Sequence, residues 1–279
     1  MDLCDYKNNI KIGYQGVKGS FSEKAMIQFF GESKEDLNYE KFEDVFIALK
    51  EGEIDYGILP FENSCTGAIT AVYDLLLKYG YYIVGEECIK IEQNLVGVKG
   101  AKLHDIKEVY SHPQGFEQSK KFLKEHDYLK LVNFHNTAIS AKHVATLKDK
   151  SKAAIASSRA AKIYNLYIIE KEINDNKNNN TKFIIISKNL ELDKDCDKMT
   201  VAFSLDNKPG TLYNLLGHFA KNQINMIKIE SRPSQNEIWE YILYADLEGN
   251  LNDEKVQKAV ELIEEDTKYF KLLGCYKKK

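Results

Sequence analysis

Roughly the first 190 residues of the chain repeat one rhythm: a short apolar run, a loop of Gly, Ser, Thr or Asn, then apolar positions at helical spacing. Residues 11–14 lead through Gly16 and Gly19 into Ser20-Phe21-Ser22-Glu23, a capping-box spacing that predicts a helix to Phe30. Residues 56–59 lead through a polar loop, 60–67, into a helix around 72–77. Three more units follow: 109–110 into Ser111-His112-Pro113-Gln114 and a helix carrying Phe116, Gln118 and Phe122; 131–134 into Asn136-Thr137 and a helix through Val144; 153–156 into Ser157-Ser158 and a helix through Tyr164. Such alternation predicts α/β layers on a largely parallel sheet. Ligands of these sheets sit beyond the carboxyl ends of the strands, where helix N-termini offer free N–H groups and partial positive charge to an anion. A small substrate carrying carboxylates fits that description, although each Ser, Thr or Asn serves equally well as a helix cap.

The pattern then changes. A spacer at 174–180 precedes an apolar run at 184–186, which reads as a buried strand, and the charged stretch 188–198 reads as a linker. Beyond it come a strand at 200–205, a turn at Asn207-Lys208-Pro209-Gly210, a helix to Lys221, strands at 224–230 and 239–246, a helix near 254–264 and a strand at 269–275. This βαββαβ order is the ferredoxin-like plan, which by itself says nothing of function. A length of 279 residues suits two domains.

Composition narrows the function. Hydrophobic residues make up 43% and charged residues 29%, enough apolar area for sizeable cores. A formal net charge of −3, with lysines interspersed among acids, argues against a nucleic-acid partner. The start, MDLCDYKNNI, lacks the basic and apolar regions of a signal peptide, and no later run approaches the ~18 apolar residues of a membrane span, so a cytoplasmic protein without a membrane partner is expected. Cys4, Cys65, Cys88, Cys196 and Cys275 are odd in number and widely spaced, which indicates neither a disulfide framework nor a metal site. His104, His126, His135, His143 and His218 show no ligand spacing and read as surface or core residues.

The loops carry more. Gly13-Tyr14-Gln15-Gly16 with Gly19-Ser20-Phe21-Ser22-Glu23, Pro60-Phe61-Glu62-Asn63-Ser64 with Gly67, Ser111-His112-Pro113-Gln114 with Gln118, Asn136-Thr137-Ala138 and Thr181-Lys182-Phe183 together resemble the prephenate dehydratases. In the tail, Asn207 with Pro209-Gly210-Thr211-Leu212, and Glu230-Ser231-Arg232-Pro233, resemble the two phenylalanine-binding motifs of that family's ACT domain.

The resemblance implies an α/β fold with a two-lobed catalytic domain, similar to type II periplasmic binding proteins, over 8–188, and a ferredoxin-like ACT regulatory domain over 198–276. It implies conversion of prephenate to phenylpyruvate, carbon dioxide and water without metal or organic cofactor, feedback inhibition by phenylalanine, and a homodimer or homotetramer. Thr181 takes the catalytic role, as a hydrogen-bond donor to the leaving hydroxyl. Asn63, Ser111 and Gln118 bind and orient substrate, with Glu62, Ser64, His112, Lys182 and Phe183 beside them. Asn207, Pro209, Gly210, Thr211, Leu212, Glu230, Ser231, Arg232 and Pro233 form the effector site across a subunit interface. Only ten residues precede Lys11, too few for the chorismate mutase segment that some relatives carry, and a chain ending after Lys194 is expected to keep activity and lose inhibition.

The chain also departs from the pattern. Lys182 stands where the family has arginine, and lysine offers a point charge in place of a planar fork. Gln93 replaces a histidine, and Thr211 and Tyr213 replace smaller or aliphatic residues. Arg232 is one of only two arginines among 39 basic residues, which suggests that its fork is used. Arogenate dehydratase, with the same motifs, is the alternative enzyme. A non-catalytic amino-acid sensor and a secreted solute-binding protein are the alternatives from other classes.

Overall fold

A computed structural model of the chain describes residues 10–32, 35–192, 194–234 and 239–279. The N-terminal stretch and Cys4 lie outside the described residues. In chain order the elements are β1 (Lys11–Gln15), α1 (Phe21–Phe30), β2 (Glu35–Tyr39), α2 (Phe42–Glu51), β3 (Tyr56–Asn63), β4 (Gly67–Ala68), α3 (Thr70–Tyr79), β5 (Tyr82–Lys90), β6 (Asn94–Gly97), β7 (Glu108–Ser111), α4 (Pro113–Glu117), α5 (Lys120–Glu125), β8 (Lys130–Asn133), α6 (Thr137–Leu147), β9 (Lys152–Ala156), α7 (Ser158–Ile163), β10 (Tyr167–Glu170) and β11 (Asn180–Ser187). They continue with β12 (Lys198–Ser204), α8 (Thr211–Lys221), β13 (Met226–Pro233), β14 (Tyr241–Glu248), α9 (Glu254–Glu265) and β15 (Tyr269–Tyr276). Among the described residues no helix is long and apolar enough to cross a membrane.

By proximity the chain forms two units. One comprises residues to Ile69 together with Glu87–Phe183; the other comprises Thr70–Glu86 together with Ile184–Lys279. Strands β5 and β11 contribute residues to both.

The first unit is built on two sheets, which make its two lobes, in the orders β2-β1-β3-β11-β5 (with β4 on β3) and β10-β6-β9-β7-β8. Parallel pairing is only part of the design. β1 runs parallel to β2 and β3, and β7 runs parallel to β8 and β9, but β6 is antiparallel to β9 and β10. The expected largely parallel sheet is therefore two mixed ones. Apolar positions of β6, β7 and β9 bury Leu95, Val109, Ala153 and Ile155 on one side, while Val96, Ala154 and Ala156 pack against α6 and α7 on the other.

Helix starts follow their caps. Ser20 Oγ accepts from Glu23 N at 3.2 Å, Asn136 Oδ1 from Ile139 N at 2.7 Å and Ser157 Oγ from Ala160 N at 3.0 Å, each satisfying a donor that the first helical turn leaves free. The predicted return bond from Glu23 to Ser20 N is absent. The Glu23 carboxylate instead accepts from Gly19 N at 2.6 Å and from both prongs of Arg159, at 2.9 and 3.2 Å. Arg159 lies on α7, so this fork ties the β1–α1 loop to the helix that follows β9. Gly19 is required there: its φ is +91° and a Cβ would meet Ala160 Cα at 2.9 Å.

The second unit carries an antiparallel sheet in the order β13-β14-β12-β15, the ferredoxin-like arrangement expected. One face, with Met199, Val201, Phe203, Ala245 and Leu247, packs on Leu215 and Phe219 of α8 and Val256, Ala259 and Ile263 of α9. The other face is polar yet covered. Lys198, which composition assigns to a solvated linker, is 1% exposed and begins β12. Its ammonium donates to Glu86 Oε2 at 2.7 Å and lies 2.9 Å from Asp246 Oδ2, while Thr200 Oγ1 donates to Asp246 Oδ1 at 2.8 Å and meets the Tyr276 hydroxyl at 2.7 Å. Burial works against the ammonium, but Tyr276, Asp246 and Glu86 override it and hold its pKa above the usual lysine range. Cys196 and Cys275 are buried free thiols, and burial pushes the Cys275 thiol up to about 12, which makes it inert.

Candidate active site

A cleft of about 360 Å³ opens in the first unit where loops from both sheets converge. Gln15 ends β1 and Gly16 follows it, Pro60 and Asn63 lie in the second half of β3, His112, Gln114 and Gly115 follow β7, and His135, Asn136 and Thr137 follow β8; Thr181 and Phe183 come from the start of β11. The first turns of α1, α4 and α6 all reach its wall through Phe21, Gln114 and Thr137. Among the described residues that line it there is no Asp, Glu, Lys or Arg. An anion in this cleft therefore meets helix N-termini and neutral donors rather than a fixed counter-charge.

Asn63 organises the threonine. Its Oδ1 accepts from Cys65 N at 2.9 Å and Thr66 N at 3.1 Å, which leaves its amide nitrogen as the donor on the other side. That nitrogen reaches Asn179 Oδ1 at 2.7 Å, Thr181 Oγ1 at 2.9 Å and Asn180 O at 3.1 Å. Because Thr181 Oγ1 receives a hydrogen bond from Asn63, its own proton is left to point elsewhere. Thr181 is buried but lines the cleft, so the cleft is where that proton has room to donate.

Ser64 works behind it. Its Oγ accepts from Asn180 N at 2.9 Å and its N–H donates to Asn180 O at 2.9 Å, pinning the entry to β11. Gln118 Oε1 accepts from Gln93 Nε2 at 3.0 Å, so the residue standing in place of the family histidine bridges to a cleft-lining amide. His112 lines the cleft and caps α4, its Nδ1 accepting from Gln114 N at 3.1 Å. Burial holds its pKa below the ordinary histidine value, which favours the neutral imidazole with its proton on Nε2.

Four expected contacts are not part of the cleft wall, Ser64 among them. Thr181 and Phe183 line the cleft, so strand alternation turns Lys182, between them, to the opposite face of β11. Glu62 likewise sits between Phe61 and Asn63 on β3 and is not part of the cleft wall. Ser111 is fully buried behind Gly115, where a Cβ on the glycine would lie 2.3 Å from its Oγ, and that Oγ has no hydrogen-bond partner. Conversely Phe42, Ile69, Ile91 and His135 line the cleft unanticipated. The apolar three look like core residues in sequence, and His135 has no ligand partner near it in the chain to mark it out.

In the second unit Gly210, at φ +88°, caps α8, and Thr211 Oγ1 turns back to Asp206 O and Lys208 O, both at 3.0 Å. Asn207, Pro209 and Leu212 are exposed. Glu230 and Arg232 lie on the half-buried face of β13, with Ser231 and Pro233 on its exposed face.

A two-lobed α/β cleft of neutral polar groups, on a chain that continues into a ferredoxin-like domain, defines an enzyme for a small anion with an attached regulatory domain. The sequence model of the prephenate dehydratase family matches residues 12–191, and that of the ACT domain matches residues 199–263. The prephenate dehydratase of Methanocaldococcus jannaschii is 36% identical over 274 residues, covering 96% of this chain and 98% of that one. The crystal structure of prephenate dehydratase from Arthrobacter aurescens in complex with L-Phe shares 28% identity with a TM-score of 0.88, covering 96% of this chain and 90% of that one. A protein described as a novel type of quorum-quenching acylase also shares the structure, at 27% identity and a TM-score of 0.86, covering 96% and 98%. The chain belongs to the prephenate dehydratase family.

Proposed function

We propose that the chain converts prephenate to phenylpyruvate, carbon dioxide and water in the cytoplasm, and that phenylalanine bound to the ACT unit inhibits it. The hydrogen bond from Asn63 to Thr181 carries the catalytic part of this reading, since it makes the threonine a donor toward the cleft. The reaction needs one. The ring carboxylate leaves as carbon dioxide, its bonding electrons move into the ring, and the C4 oxygen departs as hydroxide that solvent protonates to water. A threonine hydroxyl is too weak an acid to give up its proton early, so it acts by a positioned hydrogen bond that strengthens as the leaving oxygen gains charge.

The remaining roles follow from position. Helix N-termini and the amides of Gln114, Gln118 and Asn136 hold the carboxylates, Phe183 faces the ring, and His112 presents a neutral N–H. The absence of a charged residue from the described wall suits a substrate that must shed a carboxylate, because a fixed cation would stabilise the ground state of the departing group. Asn63 and Ser64 are positioning residues for Thr181. Lys182 and Glu62 act outside the cleft.

For the ACT unit, Ile227 and Ile229 on β13, an edge strand, and Leu212 and Leu216 on α8 are exposed, an apolar strip that a second copy would cover. This supports a dimer with the effector at the 207–212 loop. An assay of phenylpyruvate formation from prephenate, run beside arogenate and an N-acyl amine, tests the proposal. Faster turnover of arogenate would move the chain to the related dehydratase, and release of a carboxylate from the amide alone would move it to the acylase.

A further inference from the structure

The helix-free face of the ACT sheet holds Thr70–Glu86, a segment that sequence order assigns to the catalytic domain. Along β13, the strand of the second effector motif, Lys228 Nζ donates to the Tyr73 hydroxyl at 2.9 Å and Arg232 Nη2 to Asp74 Oδ2 at 3.4 Å. From β14 the Tyr244 hydroxyl donates to Tyr73 O at 3.2 Å, and the two rings meet edge to face with centroids 4.9 Å apart. At the far end of the segment Lys198 pairs with Glu86, and β15 runs so close to β5 that a Cβ on Gly274 would lie 2.0 Å from Ile83 O. The sheet thus grips the segment from its first helical turn to its last residue.

The two flanks of the segment are cleft walls. Ile69 immediately precedes it, and Ile91 and Gln93 follow just beyond the end of β5; all three line the cleft. The geometry points to Thr70–Glu86 as the element that carries the state of the ACT sheet to the active site, with Arg232 acting on Asp74 rather than on the effector itself. Arg232 and Asp74 are a half-made fork. One prong makes a long hydrogen bond, and Nε is buried without a partner. Arginine and carboxylate pair most strongly through two parallel bonds, so a small slide of β13 along α3 has a completed fork as its second arrangement. An effector that binds one position of β13 better then shifts the segment, and with it Ile69 and Ile91.

This inference rests on phenylalanine being the ACT effector. Asp74→Asn removes the fork's charge, and Tyr73→Phe removes the Lys228 bond while keeping the ring. Both variants should turn over prephenate within about twofold of wild type and still bind phenylalanine by calorimetry. Inhibition at saturating phenylalanine, about 5- to 150-fold if coupling is of usual strength, should fall below about threefold. Full inhibition in both variants, or loss of phenylalanine binding in both, overturns the assignment. Amide exchange in effector-free protein separates it from the effector reading: Asp74→Asn should speed exchange at residues 87–93. If wild type binds no phenylalanine, the effector reading fails, and unchanged exchange at 87–93 would overturn this one independently.

Discussion

Replacing Thr181 with valine keeps the branched outline of the side chain and removes only its hydroxyl. The Asn63 amide has two protons for three acceptors, and without Thr181 both still have partners, at 2.7 Å in Asn179 and 3.1 Å in Asn180. No buried donor is orphaned, so the loss to stability is that of one ordinary hydrogen bond, about 1 kcal/mol, or a fall of about 2–4 °C in Tm. Turnover should fall about 100- to 10,000-fold, equivalent to about 2.7–5.5 kcal/mol in the barrier. That gap separates a chemical role from a structural one. Initial rates of phenylpyruvate formation at saturating prephenate, with thermal melts on the same samples, measure both quantities. Thr181→Ser, which retains the hydroxyl, should keep most of the rate. Valine retaining more than about a third of wild-type turnover, or serine falling as far as valine, would refute the reasoning.

Lys182→Ala should change KM by less than about threefold, whereas removing a charged hydrogen bond to a substrate carboxylate, about 1.5–3 kcal/mol, would raise it by about 10-fold or more. Arg159→Met leaves the buried Glu23 carboxylate its bond from the Gly19 N–H but removes the guanidinium, and should destabilise by about 2–3 kcal/mol in urea, below the about 3–5 of a fully buried pair because Arg159 is partly exposed. His112 should titrate below about 6.5 in an NMR pH series; since the folded state then holds its proton less well than the unfolded chain, its contribution to stability is present above pH 6.5 and declines as the pH falls below it.

The sequence shows best those elements whose signals are local. Ser20, Asn136 and Ser157 cap the helices they announce, and Pro209-Gly210 opens α8. Signals that depend on distant partners mislead. Helix α2 begins after Lys41, which has no cap chemistry to advertise it, and one expected helix through Phe116 and Phe122 is two, broken around Gln118 and Ser119. Lys198 reads as linker because its counter-charges come from 112 residues back and 48 ahead, Glu86 and Asp246. At the site, motif adjacency groups Thr181, Lys182 and Phe183 as one cluster, but a strand separates odd from even. Asn63 lines the cleft as its motif suggests, but nothing local shows that both ends of its amide also bond within the chain.

The buried charge on β12 also bears on how the enzyme is made. Glu86 leaves the ribosome well before Lys198 and Asp246 exist, so its carboxylate emerges without the buried ammonium it pairs with in the folded chain. During that interval α3 and the first half of β5 lack the surface they settle on, and the walls at Ile69 and Ile91 lack their anchors. Thr70–Glu86 therefore settles only after the C-terminal strands have been synthesised, although it was translated well before them. A chain ending in the 188–198 stretch, which the resemblance alone expects to be active and uninhibited, should on this packing lose activity as well, and phenylpyruvate formation by the truncated protein checks the difference.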